Sequence, residues 1–281
     1  MCLLFVALLL ATPFAASAAT LVGDVDGDGE VSIADVAKSI DYLLTDNSTG
    51  INLGNADVNY DGMVDISDVA QLIDYLLAGS WPETDHEHVD LGLPSGTLWA
   101  TCNVGASAPE EYGDYFAWGE TAPKDYYDWS TYKWCIGGTY WLTKYCTESD
   151  CGYDGFTDGK TELDPEDDAA YVNWGPSWRM PTKEQCQELC DQCTWTYTER
   201  NGVFGRLVTG PNGNTLFLPA AGSRWYDSLY DAGSYGLYWS RTLNSRSPGY
   251  AYGLCFDSGD WNYCGYADRY CGKTVRAVRV S

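Results

Sequence analysis

Two stretches of the chain carry the same apolar spacing. Val36-Ala37-Lys38-Ser39-Ile40-Asp41-Tyr42-Leu43-Leu44 matches Val69-Ala70-Gln71-Leu72-Ile73-Asp74-Tyr75-Leu76-Leu77 nearly letter for letter. Apolar residues at Val36, Ile40, Leu43 and Leu44 share one helical face, so each stretch predicts a helix. From Val89 onward the pattern changes to short apolar and aromatic runs broken by glycine. These predict strands over Thr97–Asn103, Tyr115–Trp118, Arg206–Thr209, Thr215–Leu218, Tyr250–Phe256 and Thr274–Val280, with a hairpin turn at Asn212-Gly213-Asn214. Two helices are predicted between them, near Pro165–Val172 and over Lys183–Cys193, the second capped by Thr182 with Glu184 and Gln185 in its first turn. Lys124–Asp164 and Asp257–Gly272 read as long irregular segments, a length usually tied to function.

Each repeated helix follows an acidic loop. The first is Asp24-Val25-Asp26-Gly27-Asp28-Gly29-Glu30-Val31-Ser32-Ile33-Ala34-Asp35, and the second is Asp57-Val58-Asn59-Tyr60-Asp61-Gly62-Met63-Val64-Asp65-Ile66-Ser67-Asp68. Side-chain oxygens stand at loop positions 1, 3, 5, 9 and 12, and glycine stands at 6. Calcium takes about 6–8 oxygen ligands in one tight loop, and this spacing supplies them. The expected ligands are Asp24, Asp26, Asp28, Ser32 and Asp35 in one loop and Asp57, Asn59, Asp61, Asp65 and Asp68 in the other. Glu30 and Met63 would contribute backbone carbonyls. Two sites, and therefore two Ca2+ ions, are expected.

The loop–helix duplication, with Asp rather than Glu at position 12, resembles the dockerin domain over roughly residues 21–79. The resemblance implies a cohesin partner, with selectivity set at loop positions 10 and 11, here Ile33, Ala34, Ile66 and Ser67.

Charge agrees with a metal-dependent module. The chain carries a net charge of −24. Residues 20–80 hold 12 acids against the single base Lys38, and two calcium ions would offset part of that excess. A segment this small buries little core, so it is expected to fold only with metal. So acidic a surface argues against a nucleic-acid partner. Residues 1–19 are uncharged, with an apolar run over Leu3–Leu10 and an A-x-A signal at Ala16-Ser17-Ala18, which reads as a secretory signal peptide. The run is too short to span a membrane, and no other segment qualifies. The chain therefore divides into a signal peptide (1–19), the duplicated calcium module (20–79), a linker (80–88) and a second domain (89–281). An exported, extracellular or surface location follows.

Ten cysteines remain beyond the leader, which permits disulfides without assigning them. Cys186, Cys190 and Cys193 lack a histidine and the spacing of a zinc site, and core packing or pairing explains them better. The two histidines, His86 and His88, fall in the linker. That leaves the second domain without the usual base of a Ser- or Cys-His machine.

Three motifs mark this second domain. They are Val89-Asp90-Leu91-Gly92-Leu93-Pro94-Ser95-Gly96-Thr97-Leu98-Trp99-Ala100-Thr101, then Glu111-Tyr112-Gly113-Asp114-Tyr115-Phe116-Ala117-Trp118-Gly119-Glu120, then Trp174-Gly175-Pro176-Ser177-Trp178-Arg179-Met180-Pro181-Thr182. Together they resemble the Fibrobacter succinogenes major paralogous domain of exported gut Bacteroidetes proteins. It is similar to the C-type-lectin-like fold shared with formylglycine-generating enzymes. The resemblance implies that the first and last strands pair. The expected class is α+β: a small all-α calcium module, then a C-type-lectin-like domain of short antiparallel strands, two helices and long loops.

Catalysis by analogy with formylglycine-generating enzymes would need a close cysteine pair. Cys264 with Cys271, or Cys255, are the candidates, and their spacing does not match. No motif singles out the two carboxylates of a glycosidase, and a non-catalytic binder is expected. A lectin of the calcium type would carry Glu-Pro-Asn or Gln-Pro-Asp, and neither is present.

Binding is expected of Ser223–Gly272, which is rich in Tyr, Gly, Ser and Asp in the manner of a paratope. The expected contacts for a protein or glycan ligand are Arg246, Ser247, Tyr250, Tyr252, Asp257, Asp260, Tyr263, Tyr266, Asp268, Arg269 and Tyr270. The segment contains no Met, Gln, Lys or Glu. Adenine-directed mutation of Asn codons by a diversity-generating retroelement would leave that composition. Ordinary drift of a paralogue is the alternative.

Overall fold

The computed structural model describes residues 21–58, 63–79, 86–137, 141–259 and 262–279. The leader read over 1–19, the linker residues 80–85, and the site candidates Asn59, Asp61 and Asp260 lie outside them. The described residues fall into two compact units, one within 21–79 and one within 86–279.

The first unit is helical. Helix α1 (Ile33–Thr45) and helix α3 (Ile66–Ala78) are joined through the single turn α2 (Leu53–Ala56). Both long helices begin with a capping box. Ser32 caps α1 and Asp65 caps α3, while Asp35 and Asp68 reach back to the cap backbone. The buried apolar set is Val25, Val36, Ala56, Val58, Val69 and Leu72. Of the four apolar positions that define the α1 face, only Val36 is buried. Ile40, Leu43 and Leu44 are exposed.

The second unit contains, in chain order, β1 (His88–Asp90), β2 (Leu98–Ala100), α4 (Ala169–Trp174), β3 (Trp178–Arg179), α5 (Lys183–Gln192), β4 (Thr194–Arg200), β5 (Val203–Thr209), β6 (Thr215–Pro219), β7 (Ser223–Trp225), β8 (Ser228–Tyr230), β9 (Gly236–Leu243), β10 (Tyr250–Phe256), β11 (Asn262–Asp268) and β12 (Val278–Arg279). They form small antiparallel sheets, ordered β1-β2-β12-β3, β4-β5-β6, β7-β8 and β11-β10-β9. The stretches Thr97–Asn103 and Thr274–Val280, expected to pair, meet through β2 and β12, with Val278 opposite Trp99 and Arg279 opposite Leu98, while the first strand, β1, lies on the other side of β2. Helix α5 starts at the Thr182 cap, with Gln185 closing the box.

Three sequence expectations change. Tyr115–Trp118 makes only an isolated bridge, Phe116 to Lys273, because its neighbours are loops rather than a long strand. Asp257–Gly272 is not irregular, since β11 pairs with β10 along seven residues. Pairing with a neighbour, rather than intrinsic preference, makes this Tyr-, Gly- and Cys-bearing segment a strand. His86 and His88 are not free linker residues either. The His86 ring stacks on Trp174 at 3.8 Å, and His88 opens β1 beside Trp178.

Two buried clusters flank the β9–β10–β11 sheet. One gathers Phe116, Trp118, Trp178, Trp239, Ala251 and Val275, and the other Leu91, Trp99, Leu189, Leu218, Leu254 and Phe256. The indole N–H groups of Trp118 and Trp239 donate to the carbonyls of Ser240 and Phe116, both at 2.8 Å. The rings are thereby fixed in orientation as well as buried.

Asp168 joins α4 to β3. Its buried carboxylate accepts the backbone N–H groups of Ala170, Tyr171 and Met180 at 2.9–3.1 Å. Burial pushes its acid up to about 6, against the opposing pull of these donors and of Arg179. Asp168→Ala would leave three buried N–H groups without an acceptor. It is expected to lower stability by about 3 kcal/mol or more. Denaturant unfolding followed by tryptophan fluorescence measures it, since every tryptophan lies at or beyond residue 81.

Candidate functional site

The first acidic loop is wound around its own carboxylates. Asp24 Oδ1 accepts the N–H groups of Gly27 and Asp28 at 2.9 and 3.0 Å, and Oδ2 accepts Gly29 N–H at 3.0 Å. Gly27 and Gly29 hold φ of 76° and 94°, a region that side chains beyond glycine rarely occupy, and this allows the turn. Asp35 closes the loop. Its Oδ1 accepts Val25 N–H at 2.7 Å and Asp26 N–H at 3.1 Å, while Oδ2 accepts Ser32 N–H at 2.7 Å. Position 12 thus ties the loop's beginning to its end and helps cap α1 at the same time. Ser32 also acts as a cap, its hydroxyl accepting Ala34 N–H at 3.1 Å.

Oxygens of Asp24, Asp26 and Asp35 lie within 4.8 Å of one another, and Asp24 and Asp35 are buried. Asp28 is exposed and stands outside that group. A second carboxylate group, Asp164, Glu166 and Asp167, offers a contrast. Lys144 Nζ sits 2.7 Å from Asp164 and 2.6 Å from Asp167. Burial pushes Asp164 up, yet Lys144 and Lys160 hold it below the usual carboxylate range. That cluster already contains its cation. Among the described residues no lysine pairs with the loop cluster, and three carboxylates gathered there, two of them buried, fit a divalent ion.

The second loop repeats the closing geometry. Asp68 Oδ1 accepts Val58 N–H at 2.9 Å, and Oδ2 accepts Asp65 N–H at 2.8 Å. These are the counterparts of the Val25 and Ser32 contacts of Asp35. Hydrogen bonds from Ser67 hold the Asp65 carboxyl below its usual range. Asp57, Met63, Asp65 and Asp68 lie within the described residues, while Asn59 and Asp61 fall outside them.

The loop neighbours expected to touch a partner stand at the surface. Ile33 is 71% and Ile66 70% exposed, Ala34 is exposed and Ser67 half-buried. The structure extends each pair into a stripe that sequence reasoning missed. Ile33, Ala37, Ile40 and Leu44 lie exposed along α1, and Ile66, Ala70, Ile73 and Leu77 along α3. The spacing i, i+4, i+7, i+11 was visible, but an apolar helical stripe by itself does not say whether it faces a core or solvent.

The residues expected to form one contact face in the second unit do not share a face. Tyr250, Tyr252 and Tyr266 point to the α5 side of the β10–β11 hairpin. Tyr266 meets the rings of Tyr250 and Tyr252 at 5.6 and 6.2 Å, and the Lys183 ammonium sits 4.0 Å from the Tyr252 ring centre. Asp268, opposite Tyr250, is half-buried and its acid is pushed up by burial. Tyr263 and Asp257 instead line a cleft of about 310 Å3 on the other side, with Leu237 and Cys255. Strand pleating causes the division, since alternate residues face opposite ways. Arg246 and Ser247 are exposed in the β9–β10 turn. Tyr270 packs on Trp129 at 5.2 Å.

Arg269 is not a surface residue at all. It is fully buried, and its guanidinium donates to Tyr132 Oη and to the carbonyls of Tyr145, Pro248 and Lys144 at 2.8–3.1 Å. The single contact face expected of these residues is therefore divided, with Arg269 taken into the core.

The candidate catalytic cysteines are also dispersed. Cys264 lies on the α5 side of β11 against Cys186, Cys255 faces the opposite cleft, and Cys271 is buried in the Trp118–Trp239 cluster.

Residues 22–77 match the family model described as dockerin type I domain. No curated protein and no solved structure matches the chain.

Proposed function

We propose that the chain is an exported, non-catalytic binding protein. Its dockerin module, holding two calcium ions, docks to a cohesin-like partner, and its second unit presents a ligand-binding surface. When bound, calcium supplies the positive charge that lets the loop carboxylates stay together. Asp24, Asp26 and Asp35 hold it in the first loop, and Asp57, Asp65 and Asp68 stand ready in the second. The remaining work is done by the chain itself: Asp35 and Asp68 fix the first turn of each helix, which aims the apolar stripe outward.

The observation that carries this reading is the pair of exposed stripes, each starting beside a calcium loop. Leu44 is 80% and Leu77 82% exposed at their far ends. Open apolar rows of this kind mark interaction surfaces rather than a resting monomer surface. The pairing of β2 with the last strand, β12, supports a C-type-lectin-like second unit. No helix among the described residues is long and apolar enough to cross a membrane.

The test is binding of the full chain to recombinant type I cohesins, with calcium and with EDTA. Binding is expected only with calcium. Since either stripe can serve, Ile40→Asp alone should leave affinity within about twofold. Ile40→Asp with Ile73→Asp should cost at least about 100-fold, the scale of a lost apolar anchor. Calcium-independent capture, or a double variant that binds normally, refutes the docking assignment.

A further inference from the structure

A second cleft, of about 300 Å3, opens between the Gly113–Tyr115 segment, the Pro123–Tyr127 segment and β7. None of its wall residues belongs to the contact set expected from sequence. Asp114 and Arg224 both face it. Arg224 lies 5.2 Å from the Tyr115 ring centre and makes no ion pair among the described residues. Asp114 is part-buried, and burial alone pushes its acid up, with no hydrogen bond pulling the other way. One cavity therefore contains a strong acceptor and a strong donor that the protein leaves for something else. Lys124, the other cation, is already paired with Glu120 at 2.9 Å.

Exposed aromatic residues adjoin the Pro123–Tyr127 and β7 segments that form two of its rims. Tyr126 and Tyr226 are exposed, with ring centres 5.7 Å apart. Reciprocal backbone bonds join Tyr127 and Tyr226 at 2.8 and 2.9 Å, so the two rims cannot drift apart. The floor is pinned as well, Tyr127 donating to the Tyr115 carbonyl and Tyr115 to the Ala221 carbonyl. On the same hairpin, Trp225 and Tyr230 extend the exposed aromatic surface.

We propose that this cleft binds one neutral pyranose unit of a glycan, its hydroxyls shared between Asp114 and Arg224 and its C–H face turned toward the exposed Tyr226 beside β7. The assignment rests on the ligand-binding reading of the second unit and names its site and ligand class. A volume near 300 Å3 is at the small end of ligand cavities and suits a single ring rather than a length of peptide. Vicinal hydroxyls donate and accept together, which is what an unpaired carboxylate beside an unpaired guanidinium requires. A protein of net charge −24 repels anionic sugars at long range, which favours a neutral one.

The experiment uses the full calcium-loaded chain on an array of neutral cello-, xylo-, manno- and galacto-oligosaccharides, with calorimetry on each bound sugar. Near-UV circular dichroism checks that every variant is folded. Arg224→Gln, Asp114→Asn and Tyr226→Ala should each weaken binding at least tenfold. Tyr263→Ala, in the other cleft, should change it less than twofold. Glycan binding lost in Tyr263→Ala but kept in Arg224→Gln and Asp114→Asn overturns this site while leaving the ligand-binding reading intact. An array with no bound neutral sugar, beside a peptide library bound through Arg224, overturns the ligand class. Failure of both arrays removes the ligand-binding reading itself.

Discussion

Chelation of calcium from the full chain is expected to abolish the helical signal of residues 33–78 and leave tryptophan fluorescence unchanged. The two probes separate the units, because every tryptophan lies at or beyond residue 81 while the two longest helices, of 13 residues each, lie in the first unit. The physical reason is the triad of Asp24, Asp26 and Asp35, whose oxygens sit within 4.8 Å with no internal cation. Removing the ion leaves like charges at close range in a unit with a very small core, and its binding energy is folding energy. Asp35→Ala with Asp68→Ala should act in the same direction with calcium present. Each carboxylate accepts backbone N–H groups at the loop entrance and at the helix cap, so each loss is expected to cost about 3 kcal/mol or more. Far-UV circular dichroism before and after EDTA is the measurement, and a helical signal indifferent to chelation refutes the claim.

The second large effect is expected at Arg269. Its guanidinium satisfies three carbonyls and the Tyr132 hydroxyl, and lies 4.9 Å from the Trp118 ring centre and 5.2 Å from that of Tyr132. It ties the 132–145 loop, Pro248 and the end of β11 to one point. Arg269→Met keeps the apolar stem but strands those acceptors in the core. A loss above about 4 kcal/mol is expected, in the exceptional class for a single substitution. Arg269→Lys should rescue little, because one ammonium cannot reproduce the planar fork that reaches all four partners. Denaturant unfolding followed by tryptophan fluorescence reads both variants, and a midpoint within error of the unsubstituted chain contradicts this role.

Residues legible in the sequence are those whose partners are close along the chain. The acidic loops could be read because their repeated oxygen positions fall within twelve consecutive residues and the turn needs its glycines. The cap at Thr182 is set within three residues, and the β5–β6 turn at Asn212-Gly213 is equally local; the caps at Ser32 and Asp65 were equally local, but these residues were read as calcium ligands. Strand β4 was also within reach. Asn201 and Gly202, with φ of 49° and 83°, form the two-residue turn joining it to β5, and Asn-Gly is the strongest short hairpin signal. The period-2 alternation of β11 was obscured because tyrosine, glycine and cysteine fill both of its faces.

What the sequence determined by itself is therefore the duplicated acidic loop–helix module, its charge imbalance and the change of texture at the second unit. Tertiary structure alone decided which apolar helical positions stay open, that Arg269 is interior, and that the tyrosines of β10 and β11 divide between two faces. It also brought Asp114 and Arg224, 110 positions apart (224 − 114), to one cleft. Exposure and convergence are properties of packing between distant segments. A local pattern fixes which way a residue points from its own helix or strand, and only the neighbouring element determines whether it meets a core, a solvent face or a ligand.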